Sequence, residues 1–295
     1  MKVKDFNLKT FPSYDKDIDG AVELYGKEDN LRVRMMDVDY QKGCRIRILY
    51  PNTIFDEDRI YPVVIHDQGS GWYKQDMNDH IFDFMPIVKA GYIYAIVETH
   101  YAPDSKFPTH ILDFKKAIRF IQKNYQKYNM DINNVFLSGD SSGGHVALMT
   151  LFTYDSHEFD KEDTPLLKLK GMIDLYGISN FLTLNDWYSK HDWTEDDNAR
   201  DFLGNENTLD KNYLAKVSPI SYIKENLNLP PIIILHGSKD VTIPFTQSLE
   251  LYHKLKEYNY DVTIARVNKA SHGRSIFYCE DVYNFIINFL NKNTK

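Results

Sequence analysis

From about residue 44 onward, short apolar runs alternate with longer amphipathic stretches, and this alternation leaves few architectures open. Residues 61–66 and 92–97 are apolar at successive positions, as strands buried on both faces of a parallel sheet must be. Between such runs the apolar residues return at helical spacing, as in Ile111, Phe114, Ile118, Ile121 and Tyr125. Alternating β and α units predict the α/β class, a mostly parallel central sheet with helices on both faces. Further strands are expected at 44–50, 135–138, 171–176, 232–236 and 262–267. Helices are expected before Gly91, from Ser142, and over 245–258 and 278–290.

The 295 residues fit one large α/β domain spanning 1–295. Residues 177–216 break the strand rhythm: this stretch is polar, Asp-rich and carries Trp187, Tyr188 and Trp193. It is too long for an ordinary connection and is expected to be a small cap or lid insertion, with a plain surface excursion as the alternative. A 43% hydrophobic and 26% charged composition is ordinary for a chain with a sizeable core. The net charge of −7 is spread along the chain, which argues against nucleic acid as a partner.

The N-terminus has no apolar segment typical of a secretory signal, and no run of about 18 apolar residues occurs. These features predict a cytoplasmic protein with no membrane partner, either a monomer or a homodimer. Cys44 and Cys279 are the two cysteines. They are far apart and without C-x-x-C spacing, so two buried free thiols are expected rather than a disulfide or a zinc site.

The chemistry gathers around Gly139-Asp140-Ser141-Ser142-Gly143, a G-x-S-x-G match that directly follows a buried strand and precedes a helical pattern. A side chain on so sharp a turn needs small neighbours, which the flanking glycines supply. A serine hydroxyl is a poor nucleophile until a base takes its proton and a carboxylate orients that base. Asp240, in His236-Gly237-Ser238-Lys239-Asp240, and His272, in Ser271-His272-Gly273, each follow a predicted strand, where open α/β sheets gather their sites. Asp174 and Asp261 are the rival acids. His66, His100, His145 and His236 border the same end of the sheet and are expected to be supporting residues.

A tetrahedral intermediate needs N–H donors for its oxyanion. Ser142 offers one, and the Gly-rich turn His66-Asp67-Gln68-Gly69-Ser70-Gly71-Trp72 offers Gly69 and Ser70. Gln68, Trp72, Trp187 and Trp193 are candidates for the substrate pocket. The string Gly-Asp-Ser-Ser-Gly-Gly also matches a trypsin-like signature, but such proteases place His and Asp before Ser on β-barrels. No H-E-x-x-H or comparable cluster appears, so neither a metal nor another cofactor is expected.

With these motifs in place, the chain resembles the α/β-hydrolase esterases related to hormone-sensitive lipase, and within them the bifunctional acetylxylan and feruloyl esterase type. The likeness runs over about 61–290 and rests on Gln68-Gly69-Ser70-Gly71-Trp72, Ala102-Pro103 with Phe107-Pro108 and Asp113, Gly139 to His145, His236 to Asp240, and Ser271-His272-Gly273. The resemblance implies a serine carboxylic-ester hydrolase, with Ser141, Asp240 and His272 as its triad. Its implied substrates are small-molecule or oligosaccharide esters carrying acetyl or feruloyl-type groups. Amide hydrolysis, of the kynurenine-formamidase or prolyl-oligopeptidase kind, is the alternative. The chain departs from the family where Tyr-Arg usually precedes Ala-Pro: here Thr99-His100-Tyr101 stands in that place, removing a fixed donor fork.

Overall fold

In a computed structural model, residues 20, 22, 33–51, 59–156, 158–160, 162, 165–190, 197–204, 207–274 and 276–295 are described. Eight strands form one sheet among them: β1 (Val33–Gln41), β2 (Cys44–Pro51), β3 (Tyr61–Asp67), β4 (Ile93–Val97), β5 (Met130–Asp140), β6 (Leu169–Leu175), β7 (Ile232–Gly237) and β8 (Val262–Val267). Their order is β1-β2-β4-β3-β5-β6-β7-β8. The β1–β2 and β2–β4 pairs are antiparallel, and every pair from β4–β3 to β7–β8 is parallel. The unbroken apolar runs are the inner strands, as expected: β4 and β7 are buried at every position.

Helices α1 (Ile81–Lys89), α2 (Thr109–Asn124), α3 (Ser141–Phe152), α7 (Thr246–Glu257) and α8 (Glu280–Asn293) cover the two faces. One core layer joins Phe84 and Val88 of α1 to Ile286 and Leu290 of α8 against Tyr94 and Phe136 of the sheet. The other joins Ile111, Phe114 and Ile118 of α2 to Val146, Leu148 and Leu251 against Val63, Leu137 and Ile234. None of the described helices is long and apolar enough to cross a membrane.

Between β6 and β7 the chain forms α4 (Phe181–Lys190), α5 (Asp197–Leu203) and α6 (Lys211–Val217), followed by a 3-10 turn at Pro219–Tyr222. Asp210 caps α6 by accepting from the amides of Asn212 and Tyr213. Phe181, Leu184, Phe202, Leu203 and Leu214 of these helices join the α2/α3 core layer. Phe202 stacks on Trp72, ring centroids 4.4 Å apart and 9° from parallel. The segment is thereby packed onto the turn that follows β3.

The buried carboxyl of Asp174 lies near the end of β6, beside Gly144 and Gly177. Its Oδ1 accepts from the Gly177 amide at 3.1 Å, while Oδ2 has no partner among the described residues. Burial pushes its pKa up to about 7. A carboxyl whose folded pKa lies above its ordinary value opposes folding once ionised, so its cost grows as pH rises from about 4 and levels off above about 7. Asp174→Asn should therefore become more stable relative to the parent as pH is raised from 5 to 8. Urea denaturation at the two pH values checks this, and an unchanged difference would refute it.

Candidate active site

The carboxyl ends of β3, β5, β7 and β8 meet at one edge of the sheet, and each delivers one component of the site. Ser141 is the residue at which β5 becomes α3, and its φ of 52° is left-handed. Such a backbone costs a non-glycine residue about 1–3 kcal/mol and persists only where its surroundings enforce it. Gly139 and Gly143 make the turn possible: a Cβ on Gly139 would strike the Gly143 carbonyl, and one on Gly143 would overlap the backbone of Asp67. The strain lifts the Ser141 hydroxyl clear of the sheet.

His272, in the loop after β8, meets that hydroxyl: Nε2 lies 2.8 Å from Ser141 Oγ. Its other ring nitrogen, Nδ1, lies 2.7 Å from Asp240 Oδ2 in the loop after β7. Asp240 Oδ1 accepts the amides of Thr242 and Ile243, both at 2.9 Å. Oδ2 also faces His236 Nε2 at 3.2 Å. Burial would raise the Asp240 carboxyl, but hydrogen bonds from His236 and His272 outweigh it and hold the group well below the ordinary carboxylate range. An ionised Asp240 fixes the His272 proton on Nδ1 and leaves Nε2 as the acceptor for the serine proton.

The rival acids are placed elsewhere. Asp174 is spent on Gly177, and Asp261 is exposed at the entrance to β8. His236 Nε2 donates to the Ile243 carbonyl at 2.9 Å while lying beside Asp240, and its Nδ1 lies 2.7 Å from Ser248 Oγ. His145 is fully buried, donating from Nε2 to the Val217 carbonyl at 2.8 Å and accepting Trp72 Nε1–H on Nδ1 at 3.3 Å. Burial drops its pKa to about 3, so it is a neutral packing element.

The turn after β3 departs from expectation in two respects. The Gly69 amide is already committed, donating to Asp140 Oδ1 at 2.8 Å, so it is not turned toward Ser141 as an oxyanion donor. Gln68 is buried rather than exposed to the cavity, its side-chain amide donating to the Asp76 carbonyl at 2.8 Å. Ser70 N–H points toward the elbow and donates to Ser142 Oγ at 2.9 Å. Ser70, Gly71 and Ser142 all line the same cavity as Ser141 and His272.

Asp140 was not anticipated as a supporting group. Its fully buried carboxylate accepts from His66 Nε2 at 3.1 Å as well as from Gly69. Burial would raise Asp140, but these two donors more than offset it and keep it below the ordinary range. Burial holds His66 below its usual pKa, so the imidazole is neutral and its Nε2–H is the donor. Nδ1 of that ring faces Ser138 Oγ at 3.1 Å and the Tyr94 hydroxyl at 3.0 Å. No local pattern links position 66 to position 140; only the pairing of β3 with β5 does.

The cavity in front of Ser141 has a volume of about 570 Å³. Trp72, Tyr176 and Ile178 give it apolar wall, and Asp79, His80, Asn198, Thr242 and Arg274 give it polar wall. Tyr176 packs edge-on against the His272 ring at a centroid distance of 4.7 Å. Trp187 is partly buried beside the core and is not among the cavity-lining residues. Trp193 lies outside the described residues. Of the 177–216 segment, Ile178 and Asn198 reach the cavity wall. The arrangement can activate a hydroxyl and move one proton in and out through one imidazole.

A family model described as BD-FAE matches residues 48–255. Among curated proteins, the chain is similar to Esterase LipQ of Mycobacterium tuberculosis, 24% identical over an alignment of 245 positions that covers 80% of this chain and 56% of the relative. It is also similar to the probable carboxylic ester hydrolase LipM of the same organism, 22% identical over 85% of this chain and 54% of the relative. The chain thus spans about half the length of these relatives. Among solved structures, a truncated form of a carbohydrate esterase from gut microbiota superposes with a TM-score of 0.73 at 19% identity, covering 89% of this chain and 96% of that one. That likeness establishes a shared α/β-hydrolase fold.

Proposed function

We propose that this chain, which belongs to the BD-FAE family, is a serine carboxylic-ester hydrolase working through an acyl-enzyme. The observation that carries the reading is the hydrogen-bonded line from Ser141 through His272 to Asp240, at 2.8 and 2.7 Å, opening on the cavity. Ser141 Oγ attacks the ester carbonyl while its proton passes to His272 Nε2. The resulting oxyanion is received by the amides of Ser142 and Ser70, with Gly71 as the further candidate in the same turn. Ser142 Oγ must then rotate off the Ser70 amide. The C–O bond to the alcohol breaks as His272 returns the proton to the leaving oxygen. Water, deprotonated by the same imidazole, attacks the acyl-serine and frees the acid and Ser141.

The polar wall formed by Asp79, His80, Asn198 and Arg274 favours a hydroxyl-rich alcohol, and a cavity of about 570 Å³ admits a sugar unit with a small acyl group. The reading is therefore removal of acetyl, or feruloyl-type, groups from carbohydrate or other small esters. On it, the 177–216 segment serves as a cap that contributes Asn198 to the substrate wall.

The test is a substrate panel of p-nitrophenyl acetate, acetylated xylo-oligosaccharides, methyl ferulate, N-formylkynurenine and an Ala-Pro anilide. Turnover of the acetyl esters, with acetylated xylo-oligosaccharides preferred in kcat/KM, is expected. Silence on every ester while an amide is cleaved would replace the esterase reading with amide hydrolysis.

A further inference from the structure

A second cluster of chemically active side chains lies outside the cavity lining. Cys44 opens β2, His100 sits in the loop after β4, and Asp113 lies on α2, so three separate elements supply it. His100 Nδ1 is 2.7 Å from Asp113 Oδ2 and 3.5 Å from Cys44 Sγ. One donor atom from each residue lies within 4.8 Å of the other two. Cys44 and Asp113 are buried, whereas the His100 side chain is 42% exposed, which leaves an approach from solvent.

We propose that Cys44, His100 and Asp113 form a binding site for one transition-metal ion, with zinc the best match to the donor set. The contrast with Ser141–His272–Asp240 carries the argument. In that triad the hydroxyl and the carboxylate face different nitrogens of one ring, so a proton can be relayed. In this cluster the thiol and the carboxylate both face Nδ1, so the ring cannot relay between them; three ligand atoms within 4.8 Å of one another are the arrangement of a ligand set.

The sulfur–nitrogen distance agrees. Tetrahedral zinc with a Zn–S bond of about 2.3 Å and a Zn–N bond of about 2.0 Å separates S from N by roughly 3.5 Å, as found for Cys44 and His100. The N to O separation has to open from 2.7 Å to about 3.3 Å, a small side-chain adjustment. Oδ2 also accepts the His100 main-chain N–H at 3.0 Å, and exposed Lys116 approaches the other oxygen, Oδ1, at 3.5 Å, so the adjustment is a rotation of the carboxylate about these contacts.

A thiol, an imidazole and a carboxylate together suit zinc better than the hard cations, which prefer oxygen alone. Without metal, burial raises the Cys44 pKa to about 11, so this thiol is not a standing nucleophile. Binding of a divalent ion releases the thiol proton to solvent, moves the imidazole proton from Nδ1 to Nε2, and balances the ion's two charges with thiolate and carboxylate. Water takes the fourth position, because Gln41 turns its amide nitrogen, a donor, toward His100 Nδ1 at 3.5 Å while its oxygen accepts from Lys116 at 3.2 Å. The donors are 56 and 13 residues apart in sequence, so no short motif announces the site.

The site is independent of the esterase reading and is tested without an activity assay. The full chain, stripped with a chelator, is titrated with Co²⁺ as a spectroscopic probe and then with Zn²⁺. One equivalent of Co²⁺ should produce a thiolate-to-cobalt charge-transfer absorption that Zn²⁺ displaces. Cys44→Ser should abolish the band. His100→Gln and Asp113→Asn should weaken binding at least about 10-fold, the loss expected even of a residue that only orients a ligand. Cys279→Ser should leave the band unchanged. A band that survives Cys44→Ser, or one that disappears with Cys279→Ser, would overturn the assignment. X-ray absorption at the zinc edge of the unmutated protein gives the second reading: one sulfur at about 2.3 Å supports the site, and a shell of nitrogen and oxygen alone refutes it.

Discussion

Replacing Ser141 with alanine is expected to lower kcat on p-nitrophenyl acetate by about 10⁵- to 10⁶-fold, in line with the loss of a triad serine elsewhere. The variant keeps the elbow, because Ala at position 141 inherits the left-handed φ of 52° with one atom fewer and no new contact. It keeps the amides of Ser70 and Ser142, so KM should change little and a residual rate of about 10³- to 10⁴-fold over the water reaction should remain. A fluorophosphonate that labels the parent at one serine should not label the variant. A fall in kcat of less than ten-fold, or labelling that persists, would place the nucleophile elsewhere.

Asp240→Asn should reduce kcat by about 10⁴-fold while leaving the fold intact. The Asp240 carboxylate accepts from His272 Nδ1, from the amides of Thr242 and Ile243, and faces His236 Nε2. An amide offers one oxygen where the carboxylate offers two. If that oxygen stays with Thr242 and Ile243, an NH₂ group faces His272 Nδ1 and drives the ring to the tautomer that carries its proton on Nε2. That tautomer cannot take the proton of Ser141.

The same substitution has a stability signature. Because Asp240 is held below its ordinary pKa, its stabilising contribution is complete above about pH 4 and is lost as pH falls toward the folded value. The parent should therefore lose stability below about pH 4 more steeply than the asparagine variant. Comparable acid-denaturation curves, or near-normal turnover, would assign the orienting acid to another residue.

The inner strands and the covering helices were legible because a parallel sheet buried on both faces writes itself as unbroken apolar runs, and β8 falls on 262–267 as expected. Strand β1 was not. It lies at the sheet edge with alternating exposed positions and carries Arg34, Asp37 and Asp39, so its only signature is the Lys42-Gly43 turn that folds it onto β2. The helices α4, α5 and α6 also escaped notice, because seven to ten residues with scattered polar groups give too few turns for a helical period to show.

Site residues divided in the same way. Ser141, Asp240 and His272 each sit next to a readable strand end, and the structure brings them into hydrogen-bonding line. What sequence could not convey is how individual groups are spent. The Gly69 amide and the Gln68 side chain were plausible components of the site by position, yet both are consumed by buried neighbours. The pairing of Cys44 with His100 and Asp113 was equally hidden, because it depends on how β2, α2 and the loop after β4 meet. Cys279 is half-buried rather than buried.

The Asp140 carboxylate grips Gly69 and His66 from a position directly beside Ser141. This link ties the serine elbow to the turn facing it, so a displacement of one is passed to the other. Chimeras with distant BD-FAE relatives should therefore exchange the β3 turn and the β5 elbow together. A crossover placed between them would leave one parent's carboxylate without the other parent's donors, and would spoil a site in which every catalytic side chain is still present.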